Sequence, residues 1–458
     1  MLKKDSGFFH WLRHPHIRKS LIVVAVVLVV AYAAAVIGLN RYLSSEKFRA
    51  RLAQKTGQAL QARSGYLPFT WRGYSAYSEG FEGKGLPGRS LRELRASQIW
   101  ARINLWEIWR REVQITRLTV DHLQVVFGEA GMPKLTQDLK QPPKKEEPVS
   151  EKSTLNVDIR ELIVNRTDLW WGDDAKSGGG LCDVVAQAWP HGKNLVVQGH
   201  KGTFQQAGFP KAEIETFALY YAKPVLQINR GALRMGDEGT VEVSGKFEFT
   251  KPGLMDLNLQ FRRCDIAPFL PEEKRSTFVG TFAGDTRIQK ELGEESKPNA
   301  SGWLESKNGV LSGIPALEKM AAFTGEDRFR KLKVHQLKAS YTWKSAQVKV
   351  EDLVFESSEL MRVEGSFSTK GKQVSGTFRL GVVPSVLDSF PGARDEVFTK
   401  VKDGYCWTTV NVSGPSSKLE NDLKPRLIAA AVKHFGKGLL APILKPGEKI
   451  IEEMRELF

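Results

Sequence analysis

The sequence predicts a mainly β protein that begins with a transmembrane helix and contains a few short helices. Three observations support this prediction. Residues 20–39 form an apolar stretch without a charged side chain, apolar residues recur at every second position over much of the chain, and a short glycine-centred motif occurs five times. Alternation with a period of two is typical of strands that have one buried face.

The apolar stretch from residue 20 to residue 39 is long enough to span a bilayer. A hydrocarbon core of about 30 Å requires about 20 helical residues, and no other uninterrupted apolar run in the 458 residues reaches that length. A cleaved secretory signal is the alternative, because Ala31-Tyr32-Ala33 has the small-x-small form of a cleavage site. The length of the run favours a retained anchor. We therefore expect a single-pass protein with a basic segment at residues 1–19 and a transmembrane helix at residues 20–39.

The positive charge is concentrated near the predicted anchor. The chain has a net charge of +15, and residues 1–150 contain 24 Lys and Arg against 12 Asp and Glu. Attraction to anionic head groups and a well-solvated surface both explain this excess. Basic residues flank the span on both sides, so charge alone does not fix its orientation. Nucleic acid is not an expected partner, because no basic stripe interleaved with aromatic residues recurs in the distal region.

The rest of the chain is predicted to contain three helical segments, a linker and a series of strands. Phe48, Leu52, Thr56 and Leu60 recur at every fourth residue and predict a helix, and the charged, proline-rich residues 140–153 predict a linker. Short helices are predicted at residues 314–323 and in a C-terminal segment at 416–458. Strands are predicted at residues 115–127, 155–164, 195–198, 213–221, 225–229, 240–249, 256–261, 338–343, 346–355, 361–367, 373–380 and 406–412.

The glycine-centred motif has the form apolar-x-Gly-x-apolar. In a strand, its glycine and both apolar residues point to one face, and the intervening residues point to the other. The glycines relieve crowding in an ordinary β core, or they leave space for something close to the backbone. The motif residues that we predict to line an apolar site are Val243, Gly245, Phe247, Phe278, Gly280, Phe282, Gly302, Leu304, Val363, Gly365, Phe367, Val374, Gly376 and Phe378.

The sequence contains no convincing catalytic motif. Gly83-Lys-Gly85-Leu-Pro-Gly88 matches a dinucleotide-binding pattern, but we find no apolar strand before it, and Pro87 with Gly88 predicts a turn. H-E-x-x-H and G-x-S-x-G are both absent, and Asp173-Asp174 is typical of a polar loop. The cysteines, Cys182, Cys264 and Cys406, are far apart in the sequence and include no C-x-x-C pair. We expect no catalytic residues, no metal site and no cofactor.

Two regions resemble a known family. The predicted anchor, the helix that follows it and residues 96–127 resemble the N-terminal region of the AsmA-like proteins of Gram-negative envelopes, relatives of TamB and YhdP and of the bridge-like lipid-transfer proteins. Residues 302–317, residues 350–358 and the strands that contain Gly365 and Gly376 resemble the family's C-terminal region. The resemblance divides the chain into an AsmA-like N-terminal region at 40–139 and a β-groove at 154–415, with the AsmA-like C-terminal region at about 300–382.

The resemblance implies an elongated, curved antiparallel β-sheet groove, apolar inside and polar outside. It also implies an inner-membrane protein with a cytoplasmic N-terminus and a periplasmic body. Such a groove would bind phospholipid acyl chains during outer-membrane biogenesis, and each buried methylene would contribute about 0.8 kcal/mol. Membrane phospholipids and other envelope proteins are then the expected partners. The alternative is a non-catalytic envelope scaffold or an assembly factor for outer-membrane proteins.

Overall fold

A computed structural model describes residues 37, 38, 40–73, 75–104, 112–128, 156–172, 178–292, 297–357, 360–416 and 418–437. The predicted basic segment, nearly all of the predicted span and the predicted linker at 140–153 lie outside these residues, as does the end of the C-terminal segment. None of the helices described is both long enough and apolar enough to cross a membrane. Contacts divide the chain into two units, Met1–Pro190 and His191–Phe458.

Among its described residues, the first unit has one long helix and eight strands. Residues 40–43 are also helical. The elements are α1 (Glu46–Leu60), β1 (Ala62–Tyr66), β2 (Phe69–Arg72), β3 (Ser75–Gly85), β4 (Leu91–Ile103), β5 (Glu112–Phe127), β6 (Asn156–Ile159), β7 (Leu162–Trp171) and β8 (Gly179–His191).

Strand pairing in the first unit is antiparallel except at one place. Strands β1 and β2 pair with β3, β3 pairs with β4, and β4 pairs with β5. Strands β6 and β7 then pair with β5 in parallel, and β7 pairs with β8 in the antiparallel sense. The prediction of an entirely antiparallel sheet is therefore wrong here. A parallel pair needs a long crossover, which the chain between β5 and β6 is long enough to supply.

Helix α1 packs one side against the strands of the first unit. The Ser45 hydroxyl accepts a hydrogen bond from the Phe48 N–H at 3.3 Å and caps the helix start, as short hydroxyl side chains commonly do. Phe48 then contacts Phe69 edge to face, with ring centroids 5.7 Å apart. Tyr66 and Phe81 continue the aromatic contacts at 4.6 Å. Residues spaced four apart in α1, such as Phe48 and Leu52, thus pack against the sheet.

The second unit contains sixteen strands and four short or medium α-helices among its described residues. The strands are β9 (Asn194–His200), β10 (Thr203–Gln206), β11 (Phe209–Ala222), β12 (Val225–Met235), β13 (Gly239–Glu248), β14 (Gly253–Asp265), β15 (Phe278–Leu292), β16 (Asn299–Ser312), β17 (Lys331–Val334), β18 (Gln336–Lys344), β19 (Gln347–Ser357), β20 (Met361–Lys370), β21 (Gln373–Val382), β22 (Lys400–Lys402), β23 (Tyr405–Pro415) and β24 (Glu420–Asn421). The helices are α2 (Pro315–Thr324), α3 (Pro384–Leu387), α4 (Ala393–Glu396) and α5 (Leu423–Lys437).

The second unit is an antiparallel sheet that follows chain order. Strands β9 and β10 pair with β11, and β11 to β16 pair successively. Strands β17 and β18 both pair with β16, and β18 to β21 pair successively. Strand β23 then pairs with β21, β22 and β24. Every described pair in this unit is antiparallel.

A cluster of helices covers part of this sheet. Ala321 of α2, Ala393 of α4 and Ala431 of α5 are buried together with Phe329, which is 0% exposed, and with Leu332 of β17. Apolar residues of β20, β21 and β23 complete the cluster. Small alanines allow the helices to approach the strands closely, so this is the main core of the unit.

The mainly β prediction is confirmed, and the helices predicted from residue 48, at 314–323 and near the C-terminus are present as α1, α2 and α5. The expectation that no apolar strand precedes the pattern Gly83-Lys-Gly85-Leu-Pro-Gly88 is wrong, because strand β3 leads into Gly83 and contains Gly85. The chain then turns at residues 87–88 and continues as β4, so the expected turn is present and no helix begins there.

We predict that Phe329→Ala lowers the free energy of unfolding by about 3–5 kcal/mol, because it removes a fully buried aromatic ring from the helix-covered core. Val401→Ala is the control, since Val401 is 68% exposed and its truncation should change stability by less than about 0.5 kcal/mol. Urea unfolding followed by circular dichroism measures both values. Equal losses in the two variants would contradict the assignment of this core.

Candidate functional site

The strand register of the second unit puts apolar residues of successive strands on the same side. Val243 of β13 lies opposite Leu259 of β14, Leu259 opposite Thr286 of β15, and Thr286 opposite Gly302 of β16. Residues directly opposite each other point to one side of a sheet, and their chain neighbours point to the other. We call this side the apolar face. Its members include Leu195, Leu219, Ile228, Val243, Gly245, Phe247, Leu257, Leu259, Gly302, Leu304, Tyr341, Trp343, Val350, Leu353, Val363, Gly365, Phe367, Val374, Gly376, Phe378, Val410 and Val412.

The other side, which we call the polar face, is typical of a solvated surface. Along β21 the apolar-face residues are half-buried, whereas Ser375, Thr377 and Arg379 between them are exposed. Strand β13 shows the same contrast at Ser244 and Lys246, both exposed. The sheet of the second unit therefore separates apolar from polar side chains along most of its strands.

Two clusters cover the apolar face toward one end of its strands. The helix-covered core described above is one of them. The other is centred on Phe269, whose ring meets Phe209, Phe261 and Phe282 edge to face at 5.3–6.1 Å between centroids. Phe269 ends a 3₁₀ turn, Ala267–Phe269, that follows β14. Aromatic side chains from a connection thus close the face at this position.

The remainder of the apolar face has no helix or loop packed on it within the described chain. Large apolar side chains there stay accessible: Leu195 is 38% exposed, Leu304 36% and Trp343 40%. Most of their neighbours on the face are half-buried. Leu304 and Trp343 stand on the neighbouring strands β16 and β18, and accessible apolar side chains that share one face of a sheet are typical of a binding surface.

The structure distributes the predicted site residues between the covered and the open parts of this face. Phe282 and Val243 pack against the aromatic cluster, and Phe278 is buried at 8% exposure. Gly280, between Phe278 and Phe282, lies beside them. The open part contains Gly245, Phe247, Gly302, Leu304, Val363, Gly365, Phe367, Val374, Gly376 and Phe378.

The glycines of β20 and β21 make room for phenylalanines of this chain. Gly365 lies opposite Phe378, and Phe367 lies opposite Gly376. A Cβ at Gly376 would come within 2.7 Å of the Phe367 Cβ, and one at Gly365 within 2.8 Å of the Phe378 Cα. The two rings then lie 6.4 Å apart. These glycines therefore accommodate neighbouring aromatic side chains. Of the two explanations offered for the motif, relief of crowding in the β core applies here.

Gly302 has a polar interaction above it. The hydroxyls of Thr286 and Tyr341, which flank Gly302 on β15 and β18, form a hydrogen bond of 2.6 Å. A Cβ at Gly302 would collide with the Asp285 carbonyl oxygen. Burial raises the pKa of the Tyr341 phenol, and the hydrogen bond with Thr286 opposes that rise. The bond satisfies two hydroxyls on an otherwise apolar face.

Sequence reasoning found Leu304 but missed the two other exposed members of the face. Leu195 and Trp343 belong to predicted strands, but they lie outside the glycine motifs. Their shared face becomes apparent only from the register between strands, since alternation within one strand does not say which neighbour lies opposite. The aromatic residues in the predicted strand 338–343 were the available signal.

The first unit contains a charged cluster around a buried aspartate, Asp168. His122 Nε2 lies 2.7 Å from Asp168 Oδ2, and Asp168 Oδ1 accepts a hydrogen bond from the Asp183 backbone N–H at 2.8 Å. Arg166 Nε in turn lies 2.6 Å from Asp183 Oδ1. These contacts satisfy a carboxylate that is only 8% exposed as a residue. Among the described residues, no group of three or more His, Cys, Asp or Glu side chains is arranged to hold a metal ion.

No family model, curated protein or solved structure matches this chain. The resemblance to the AsmA-like family therefore stays a prediction.

We predict that Tyr341→Phe and Thr286→Val each lower the free energy of unfolding by about 1 kcal/mol, because each leaves one poorly solvated hydroxyl without its partner. The double variant should lose less than the sum of the two, since it removes both hydroxyls together. Chemical denaturation of the four proteins measures this coupling. Strict additivity would mean that the hydrogen bond contributes nothing.

Proposed function

We propose that the chain is a membrane-anchored protein of the Gram-negative envelope, similar to the AsmA-like proteins, that binds phospholipid acyl chains on its apolar face. The observation on which this proposal depends is the open part of that face, where Leu195, Leu304 and Trp343 remain more than one third exposed. Burial of apolar surface is favourable by about 25 cal/mol per Å². An acyl chain laid on this face would therefore gain free energy without any directional bond.

The backbone of the sheet favours a lipid over an extended polypeptide as the occupant. The interior strands of the second unit already use their N–H and C=O groups in pairing on both sides. An extended polypeptide lying across them would bury its own polar backbone without partners, at a cost of about 1–3 kcal/mol for each group. An acyl chain has no such groups.

The anchor and the charge distribution support a location at the inner membrane. The apolar run at residues 20–39 and the basic excess of residues 1–150 both belong next to an anionic lipid surface. On this proposal the N-terminus is cytoplasmic, the body is periplasmic, and lipids reach the apolar face from the membrane. The proposed role is transport or holding of phospholipid during outer-membrane biogenesis, with no catalytic step. The alternative is a scaffold or assembly factor whose protein partner covers the same face.

Site-specific photo-crosslinking tests this proposal in the full chain. We predict that a benzoyl-phenylalanine placed at Leu304 in bacterial cells labelled with radioactive phosphate forms a labelled phospholipid adduct. The same group at Val279 is the matched control, because Val279 is 58% exposed on the polar face of the neighbouring strand β15. Lipid adducts at both positions, or at neither, would overturn the proposal. Protein adducts confined to position 304 would instead support the scaffold.

A pair of charge substitutions tests the same face without a crosslinker. We predict that Leu304→Glu reduces the phospholipid that copurifies with the full chain by at least about tenfold, because an acyl chain would have to desolvate the carboxylate. Val279→Glu adds the same charge on the polar face and should leave the bound lipid unchanged. Since both residues are exposed, both variants should fold, which circular dichroism verifies. Equal lipid content in the two variants would contradict lipid binding at the apolar face.

A further inference from the structure

A shallow, open pocket of the second unit is lined mainly by residues of the polar face, opposite the apolar face. It has a volume of about 620 Å³, within the range of about 300–1,000 Å³ that is usual for ligand pockets. Its floor is the backbone of one row of residues in register, Val243, Leu259, Thr286 and Gly302. The side chains of those residues point away from the cavity to the apolar face.

Two parallel rows of polar-face side chains form the walls of this cavity. One row consists of Ser244, Asn258, Arg287 and Ser301, each opposite the next on strands β13 to β16. The other row consists of Glu242, Gln260, Asp285 and Trp303 on the same four strands. The cavity is therefore a trench across four strands, about 14 Å long at about 4.8 Å between strands.

A β-bulge ends the trench on its β12 side. The register between β12 and β13 shifts between Ile228 and Gly231, so that Asn229 and Arg230 of β12 together lie opposite the single residue Ser244 of β13. Both belong to the lining of the cavity. Bulges commonly re-aim side chains next to binding sites, and here the bulge adds an amide and a guanidinium to the trench.

The charges of the trench compensate each other. Arg287 binds Asp256 through two hydrogen bonds of 2.8 and 2.6 Å, and this pairing lowers the pKa of the Asp256 carboxyl. Glu242 lies 3.7 Å from Arg262. The other two charged residues of the lining are Arg230 and Asp285, and their charges have opposite sign. The trench therefore favours a neutral ligand over an anion such as a phosphate.

The remaining lining combines an aromatic platform with amides and hydroxyls. Trp303 is 37% exposed and stands in the wall of the trench. Ser301 precedes it by two residues on β16, whereas Asn258, which is exposed, and Gln260 lie two strands away on β14. The Gln260 Oε1 accepts a hydrogen bond from Arg262 at 2.7 Å, which leaves the Gln260 amide hydrogens for a ligand. An exposed indole at one end of the trench and neutral donors and acceptors across it suit the apolar ring faces and the hydroxyls of a ligand that spans several strands, as an oligosaccharide does.

We infer that this trench binds a neutral oligosaccharide. The sugar rings stack on Trp303, and their hydroxyl or acetamido groups bond to Asn258, Gln260 and Ser301. This site lies on the opposite side of the sheet from the apolar face and does not depend on lipid binding there. The chain would then contact a glycan on one face and acyl chains on the other.

The test is titration of the full chain with chitohexaose, followed by saturation-transfer NMR in a zwitterionic detergent that has no sugar head group. Trp303→Ala should weaken binding about tenfold, because it removes the stacking platform. Trp343→Ala is the matched control, since Trp343 has nearly the same exposure, 40%, but stands on the apolar face of the adjacent strand β18. It should leave chitohexaose binding unchanged.

A second variant and a second ligand complete the test. Asn258→Ala, at an exposed position that should not affect folding, is expected to weaken chitohexaose binding several-fold. A sulfated heparin hexasaccharide should bind more weakly than chitohexaose, because the charges of the trench cancel. Absence of chitohexaose binding to the unmodified chain, equal binding by Trp303→Ala, or tighter binding of the sulfated ligand would overturn the inference. Loss of lipid binding in Leu304→Glu with intact chitohexaose binding would show that the two sites are independent.

Discussion

The constraint on which the rest of this structure depends is the register between antiparallel strands. From β11 to β21 the strands are paired so that most residues of the apolar face lie opposite apolar residues or glycines of the next strand. A slip of one residue at any pair would move that strand's apolar set to the polar face. Bulges at Arg230, Arg263 and Asp352 add residues without losing this alignment, since the residues beyond each bulge return to the same face.

The same constraint explains why the sheet has two different surfaces. The apolar face is closed by helices and by Phe269 only toward one end of the strands, and its open part depends on neighbouring side chains alone for burial. Glycines allow that close packing: Gly365 and Gly376 each lie opposite a phenylalanine. On the polar face the alternate residues are mostly charged, amide or hydroxyl side chains, many of which pair with each other or meet solvent. Two distinct binding chemistries are therefore possible on one layer of strands.

Much of the fold could be predicted from the sequence, but some strands and the open surface could not. Strands such as β21 alternate without interruption, so their period of two is plain. In β4 and β8 the residues Gln98 and Asp183 adopt a left-handed backbone, with φ of 51° and 59°, and reset the alternation in mid-strand. The parallel pairing of β5 with β7 was missed because no local signal specifies it. The position of Trp343 on the apolar face follows from which residues of the neighbouring strands lie opposite it. The sequence of one strand does not reveal those partners.

Native mass spectrometry of the full chain, with extraction and identification of whatever it retains, tests the central claim most directly. If the open apolar face binds acyl chains, the folded protein should carry phospholipid in a defined stoichiometry, and the Leu304→Glu variant should carry much less. A folded chain that is free of lipid after isolation from membranes under conditions that preserve bound lipid would contradict the account. The apolar face would then be a surface for a protein partner.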